Sequence, residues 1–165
     1  MVVVEDESIF TWEVKTKKVW AKKGSKPRQK KTGSKKRSCV YGALGEDGRQ
    51  VFRQYEKCNS EYTIKYFKEL RNTFGEMILY LDRAPWHKSK MVQAYLDKHQ
   101  ETIQVVWFPS GWPELNPVEE CWHQGKNDDN LGKAFYPKFT EFIQAITQYY
   151  RTKRFNLNLL NYLCL

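Results

Sequence analysis

Between Ser60 and Phe108 the hydrophobic period switches from helix to strand, back to helix and again to strand, and this alternation narrows the available folds more than any other feature. Ile64, Phe67, Leu70 and Phe74 recur at three to four residues, which predicts an amphipathic helix with Ser60 as N-cap and a stop near Gly75. The apolar run Met77 to Leu81 then predicts a buried strand. A second helix over roughly Lys88 to His99, carrying Met91, Tyr95 and Leu96, leads to a strand from Thr102 to Phe108 that Pro109 bounds. Strands separated by helices pair in parallel, because the crossover returns the chain to the edge it left.

The opening third has a different pattern. Val2 to Glu5 is a β-branched run fit for a strand ending at Asp6. Ser38 to Leu44 and Arg49 to Tyr55 flank Gly45-Glu46-Asp47-Gly48, whose Asp-Gly pair signals an antiparallel hairpin. Near Val19 to Ala21 another short strand is expected. Further on, Asn116 caps a helix with Pro117 in its first turn, where the missing amide proton costs nothing. Pro137 opens another helix with Phe139, Phe142, Ile143, Ile146 and Tyr150 on one face, while Phe155 to Leu165 reads equally as a short helix or an extended tail. With 165 residues, 41% of them hydrophobic, the chain suits one α/β domain over 1–165 with a mixed sheet, antiparallel at its start.

The net charge of +9 is concentrated. Lys15 to Arg37 holds twelve Lys and Arg and no acid, so the segment carries +12 and the rest −3. Clustered cations of this kind suit a polyanion whose phosphates they neutralise. The expected DNA contacts are Lys17, Lys18, Lys22, Lys23, Lys26, Arg28, Lys30, Lys31, Lys35, Lys36 and Arg37; the rival reading is a solvated loop. No amphipathic pattern accompanies the charge and no apolar run nears the ~20 residues of a membrane span, so no membrane partner is expected. Cys39, Cys58, Cys121 and Cys164 show no paired spacing and read as reduced, buried thiols of a cytoplasmic or nuclear protein; neither they nor His87, His99 and His123 form a zinc pattern.

Three apolar segments each lead into an acid: Asp6, Asp82 and, within Pro113-Glu114-Leu115-Asn116-Pro117-Val118-Glu119, Glu119. Converging carboxylates hold hard divalent cations and suit metal-dependent phosphodiester chemistry. Asp6-Glu7-Ser8, Leu81-Asp82 with His87, and the Pro-Glu-Leu-Asn-Pro-x-Glu block with Trp122 and Lys126 resemble the ribonuclease-H-like catalytic domain of DDE transposases, in particular the mariner-like superfamily and its bacterial insertion-sequence relatives. Trp20-Ala21-Lys22-Lys23-Gly24 and Gly42-Ala43-Leu44 followed by Gly48 extend the likeness over most of the chain. The thirty-six residues between Asp82 and Glu119 fall in that superfamily's range.

The resemblance implies a transposase or endonuclease in which Asp6, Asp82 and Glu119 ligate two Mg²⁺ or Mn²⁺ ions. It also implies water and then a 3′-hydroxyl as nucleophiles, double-stranded element ends and target DNA as partners, and a homodimer in the DNA complex. The location would be the cytoplasm of a bacterium or archaeon, at the nucleoid, or a eukaryotic nucleus. Glu119 could instead complete a capping box with Asn116, and Asp6 could merely end a strand. Glu7, Glu114 and Glu120 are less favoured ligands. His87 is expected to orient a ligand or contact DNA, with a structural histidine as its rival. Asn116 shapes the turn before Glu119, Trp112 is a candidate for DNA contact, and Trp122 falls on the Val118 face and belongs to the core.

Departures from the family pattern are Arg83, where relatives carry Asn, Trp86 in place of a smaller residue, and Gly125 within a helix, at a cost of ~1 kcal/mol against Ala. No helix-turn-helix module is expected ahead of the first strand. Two alternatives stand beside the transposase: a catalytically inactive DNA-binding remnant, and a ribonuclease-H-type nuclease.

Overall fold

The computed structural model describes residues 1–14 and 20–163. The elements are β1 (Val2–Thr11), β2 (Arg37–Gly45), β3 (Gln50–Tyr55), α1 (Ser60–Phe74), β4 (Met77–Leu81), α2 (Lys90–Lys98), β5 (Ile103–Trp107), a 3₁₀ turn (Pro113–Leu115), α3 (Val118–Asn127), α4 (Phe139–Thr152) and α5 (Leu159–Leu163). The strands form one sheet in the order β3-β2-β1-β4-β5. β1 pairs antiparallel with β2 and parallel with β4, and β5 continues the parallel half beside β4. This is the mixed sheet of a ribonuclease-H-like fold, with helices on both faces.

Alternation along β1 assigns the two layers. Val3 enters an apolar cluster with Tyr66, Phe67 and Leu70 of α1 and Val92 and Leu96 of α2. Val4 and Phe10 point the other way, into a cluster with Val118 and Trp122 of α3, Phe142, Ile146 and Tyr150 of α4, and Leu159 of α5. A strand buried on both faces explains the unbroken apolar start of the sequence.

The sequence expectations are largely met, with corrections that have physical causes. Asp6 does not close β1; the strand runs on to Thr11 because every residue from Val3 to Thr11 keeps a partner on β2. Asn59 rather than Ser60 caps α1, its side chain accepting from the Tyr62 amide at 2.9 Å. Gly75 ends that helix at φ 72°, a conformation that disfavours a side chain. On α2 the buried residues are Val92 and Leu96, whereas Met91 is exposed. The strand expected near Val19 is not formed at Trp20 and Ala21, and Val19 itself lies outside the described residues.

Cys39 and Cys58 are disulfide-bonded, with Cα atoms 5.8 Å apart, which corrects the reading of both as reduced thiols. The β2–β3 hairpin sets Cys39 opposite Tyr55, and the turn into α1 then carries Cys58 back over β2. Their separation of 19 residues gave no motif. Cys121 is a free, buried thiol, and burial pushes its pKa up; Cys164 lies outside the described residues.

Gly125 is no defect of α3. A Cβ there would collide with the Tyr150 hydroxyl, which donates to the Cys121 carbonyl at 3.2 Å, so glycine lets α4 seat against α3. Gly42 is constrained in the same way: its added Cβ would lie 2.6 Å from both Phe52 Cε1 and Trp122 Cη2. Gly42 pairs with Asp6, so the side chain missing from β2 is the space that the Trp122 indole fills beside Asp6.

Candidate functional site

Asp6 sits in the middle of the sheet, 6% exposed, on the layer shared with α3. Trp122 Nε1 donates to its Oδ2 at 2.7 Å, which fixes the carboxylate and leaves Oδ1 for another partner. Asp82 follows the last residue of β4, at the carboxyl end of the parallel half, where open α/β sheets place ligands. Its Oδ1 accepts from the Ala84 amide and from His87 Nδ1, both at 2.9 Å, and its side chain remains 45% exposed.

Glu119 is exposed in the first turn of α3. Asn116 builds the turn before it: Nδ2 donates to the Glu5 carbonyl at 3.3 Å, Oδ1 accepts from the Val118 amide at 3.0 Å, and its carbonyl accepts from the Glu119 amide. The expected cap is therefore present, and it ties α3 to β1. No bond from the Glu119 side chain back to Asn116 occurs, so the capping-box reading does not apply among the described contacts.

Asp6, Asp82 and Glu119 line one cleft, together with Asn116, Arg83 and the loop Phe108 to Pro113. Trp112 is 56% exposed on its rim. Arg83 donates from Nε to the Phe108 carbonyl at 3.3 Å and lines the same cleft as the three acids. Burial raises the Asp6 pKa well above the usual carboxylate range, and the charges of Glu7, Glu119 and Asp82 add to it. Burial would also raise Asp82, but the His87 and Ala84 hydrogen bonds outweigh it and hold the group below its ordinary value. An all-oxygen donor set under mutual repulsion fits a hard divalent cation such as Mg²⁺ or Mn²⁺.

A second group of acids occupies the opposite face. Glu5 and Glu7 flank Asp6 on β1 and meet His87, whose ring stacks on Phe67. His87 Nε2 lies 3.1 Å from Glu7 Oε1, which also accepts from Trp86 Nε1 at 2.7 Å. The unusual Trp86 thus has a structural partner. Burial would lower the His87 pKa, but Glu7, Asp82 and Glu5 around it prevail and push it up to about 11. His87 is expected from sequence beside Asp82, whereas Glu5 is not, because an acid within an apolar strand leaves only its hydropathy break as a signal. Among the described residues, only Glu5, Glu7 and His87 bring three such donor atoms within 4.8 Å of one another, so the cleft carboxylates stand wider apart.

These charges set the pH dependence of folding in metal-free buffer. A histidine whose pKa is raised on folding contributes stability that is complete below about 6.5 and is lost as pH rises towards about 11. Glu5, raised mainly by burial, acts in the same direction. The thermal midpoint is expected to fall as pH rises above neutrality, and to fall less in His87→Gln; parallel profiles for the two proteins would refute this.

Of the basic residues expected to touch DNA, Lys17 and Lys18 lie outside the described residues. Lys22, Lys23, Lys26, Arg28, Lys30, Lys31, Lys35 and Lys36 are exposed on the excursion between β1 and β2, with Trp20 fully exposed before them, and Arg37 is exposed as the first residue of β2. Glu13 anchors the returning strand of this loop, accepting from the Thr32 and Gly33 amides. Lys30 and Lys36 lie over the Phe135 and Phe139 rings at 5.9 and 5.5 Å.

Residues 1–143 match the family described as DDE superfamily endonuclease. The chain belongs to that family. Among solved structures, the DDE endonuclease fold here is similar to a mariner Mos1 paired-end complex with Mg (TM-score 0.68, 15% identity, 92% of this chain and 48% of that one). It is likewise similar to a Mos1 transposase paired-end complex with the left transposon end (0.67, 14%, 99% and 50%). For the isolated Mos1 mariner transposase catalytic domain the values are 0.60, 12%, 99% and 74%. The chain thus spans about half the length of the Mos1 chains in the DNA complexes. No curated protein matches the sequence. No helix among the described residues is long and apolar enough to cross a membrane.

Proposed function

We propose that this DDE endonuclease is the catalytic domain of a DNA transposase, cutting element ends and joining them to target DNA. The observation that carries the reading is the shared cleft of Asp6, Asp82 and Glu119, open to solvent at the carboxyl end of the parallel strands. Divalent cations held there would polarise the scissile phosphate, activate the attacking oxygen and stabilise the leaving one. Two such ions are the reading adopted, because an in-line displacement gains from one cation on the attacking oxygen and one on the leaving oxygen.

The protein's own groups prepare that chemistry. Trp122 and Asn116 fix the two walls of the cleft, on Asp6 and at the start of α3. His87 acts as a positioning residue, turning Asp82 so that Oδ2 faces outward from the His87 and Ala84 bonds. Arg83 and the rim residue Trp112 can hold a phosphate and stack on a base. The basic excursion supplies the cationic face for double-stranded DNA, and a pair of chains would engage two element ends. A nucleus or a bacterial cytoplasm would be the setting.

The test is nicking and joining of duplex DNA in Mg²⁺ or Mn²⁺. Both activities are expected, and neither with chelator. Cleavage confined to the RNA of hybrids would instead identify a ribonuclease-H-type nuclease. Arg83 in the cleft favours one other reading, a DNA-binding remnant whose guanidinium occupies cation space; DNA affinity without metal-dependent cleavage would establish it.

Replacing Lys22, Lys23, Lys30 and Lys31 together by Gln is expected to flatten the salt dependence of DNA binding by as much as about 0.9 log units per lost phosphate contact. An unchanged slope would make the segment a solvated loop.

A further inference from the structure

We propose that Glu5, Glu7 and His87 form a second, buried metal site on the face of the sheet away from the cleft, selective for a borderline divalent transition ion such as Zn²⁺. The site is distinct from the oxygen-only cleft described above. Its donors are one imidazole nitrogen and two carboxylates, a set that suits zinc better than magnesium.

Glu5 points to a missing partner. Its side chain is fully buried, and among the described residues neither Oε1 nor Oε2 has a hydrogen-bond partner. The cation nearest to it is the His87 ring, which hydrogen-bonds to Glu7 and Asp82 instead, and a buried carboxyl group with no hydrogen bond is costly. His87 Nε2 stands 3.5 Å from Glu5 Oε2 and 3.1 Å from Glu7 Oε1. Those separations bracket the ~3.3 Å edge of a tetrahedron with zinc bonds of ~2.0–2.1 Å. Glu5 Oε1 is available as a further donor, through a bidentate carboxylate.

Asp82 completes the arrangement. An ion at Nε2 displaces that nitrogen's proton to solvent, and the remaining Nδ1–H donates to Asp82 Oδ1 at 2.9 Å, the carboxylate–histidine–metal relation that orients ligating imidazoles. One aspartate thereby serves both faces: it orients the histidine of the buried site and presents its other oxygen to the cleft.

The experiment measures Zn²⁺ bound per chain after dialysis against metal-free buffer, and the visible spectrum with Co²⁺, in four folded proteins. Wild type and the cleft double variant Asp6→Asn/Glu119→Gln are expected to retain one tightly held Zn²⁺ and the intense bands of four-coordinate Co²⁺. Adding Glu5→Gln or Glu7→Gln to the double variant should weaken Zn²⁺ by more than the ~10–100-fold that loss of an outer-shell partner costs. The use of two different glutamates guards against one variant that fails to fold. Zn²⁺ binding that disappears in Asp6→Asn/Glu119→Gln would place the ion in the cleft and overturn the inference while leaving the proposed activity intact. Zn²⁺ binding indifferent to Glu5 and Glu7, or no binding at all, would overturn it too. Mg²⁺-dependent nicking of wild-type protein tests the cleft separately.

Discussion

Asp82→Asn should lower metal-dependent DNA nicking at least ~1,000-fold, equivalent to about 4 kcal/mol of transition-state stabilisation. The amide keeps the shape of the carboxylate and an oxygen that can accept from the Ala84 amide and His87, so the folded state loses little. What disappears is the charge that faces the cleft. The exposure of the side chain, 45%, also limits any cost to stability. Rates with Mg²⁺ and Mn²⁺, measured beside thermal midpoint and DNA affinity, separate the effects. A variant with near-normal nicking would remove Asp82 from the catalytic set.

The second large effect falls on stability. Trp122 is 1% exposed and packs edge-on against Phe52 and Tyr150, with ring centroids 5.7 and 5.4 Å away. Trp122→Ala empties that space and should cost about 3–5 kcal/mol. For a chain of this size the thermal midpoint then drops by roughly 6–20 °C. Trp122→Phe isolates the polar contribution, because it preserves most of the ring packing and deletes the N–H that Asp6 Oδ2 accepts. Its expected cost is about 1–3 kcal/mol. Loss of that hydrogen bond also raises Asp6 further, so cleavage should require higher pH than in wild type. A Trp122→Phe protein with an unchanged pH profile would show that the indole only packs.

Much of this architecture is legible in the sequence. The alternation from Ser60 to Phe108 carries the parallel half of the sheet, since period 3.6 and period 2 leave different marks on hydropathy. The Asp-Gly pair carries the hairpin, and the Pro-Glu-Leu-Asn-Pro-x-Glu block carries the turn that delivers Glu119. Other features depend on pairs distant in sequence. Nothing local indicates that Asp6 lies mid-strand, because its neighbours' hydropathy cannot reveal how far pairing with β2 extends. Gly42 and Gly125 look like costs until Trp122 and Tyr150 are seen in the space they leave. The Cys39–Cys58 bond and the Glu5–Glu7–His87 cluster arise from tertiary proximity and have no sequence spacing of their own.

The consecutive residues Glu5, Asp6 and Glu7 make β1 a reading frame as well as a structural strand. Odd positions address the closed trio with His87, and the even position addresses the cleft. An insertion or deletion of one residue within the strand would exchange the two addresses, delivering a longer side chain to the cleft and a shorter one to the interior. Changes of length must therefore be absorbed outside β1, and the basic excursion that follows it provides the place.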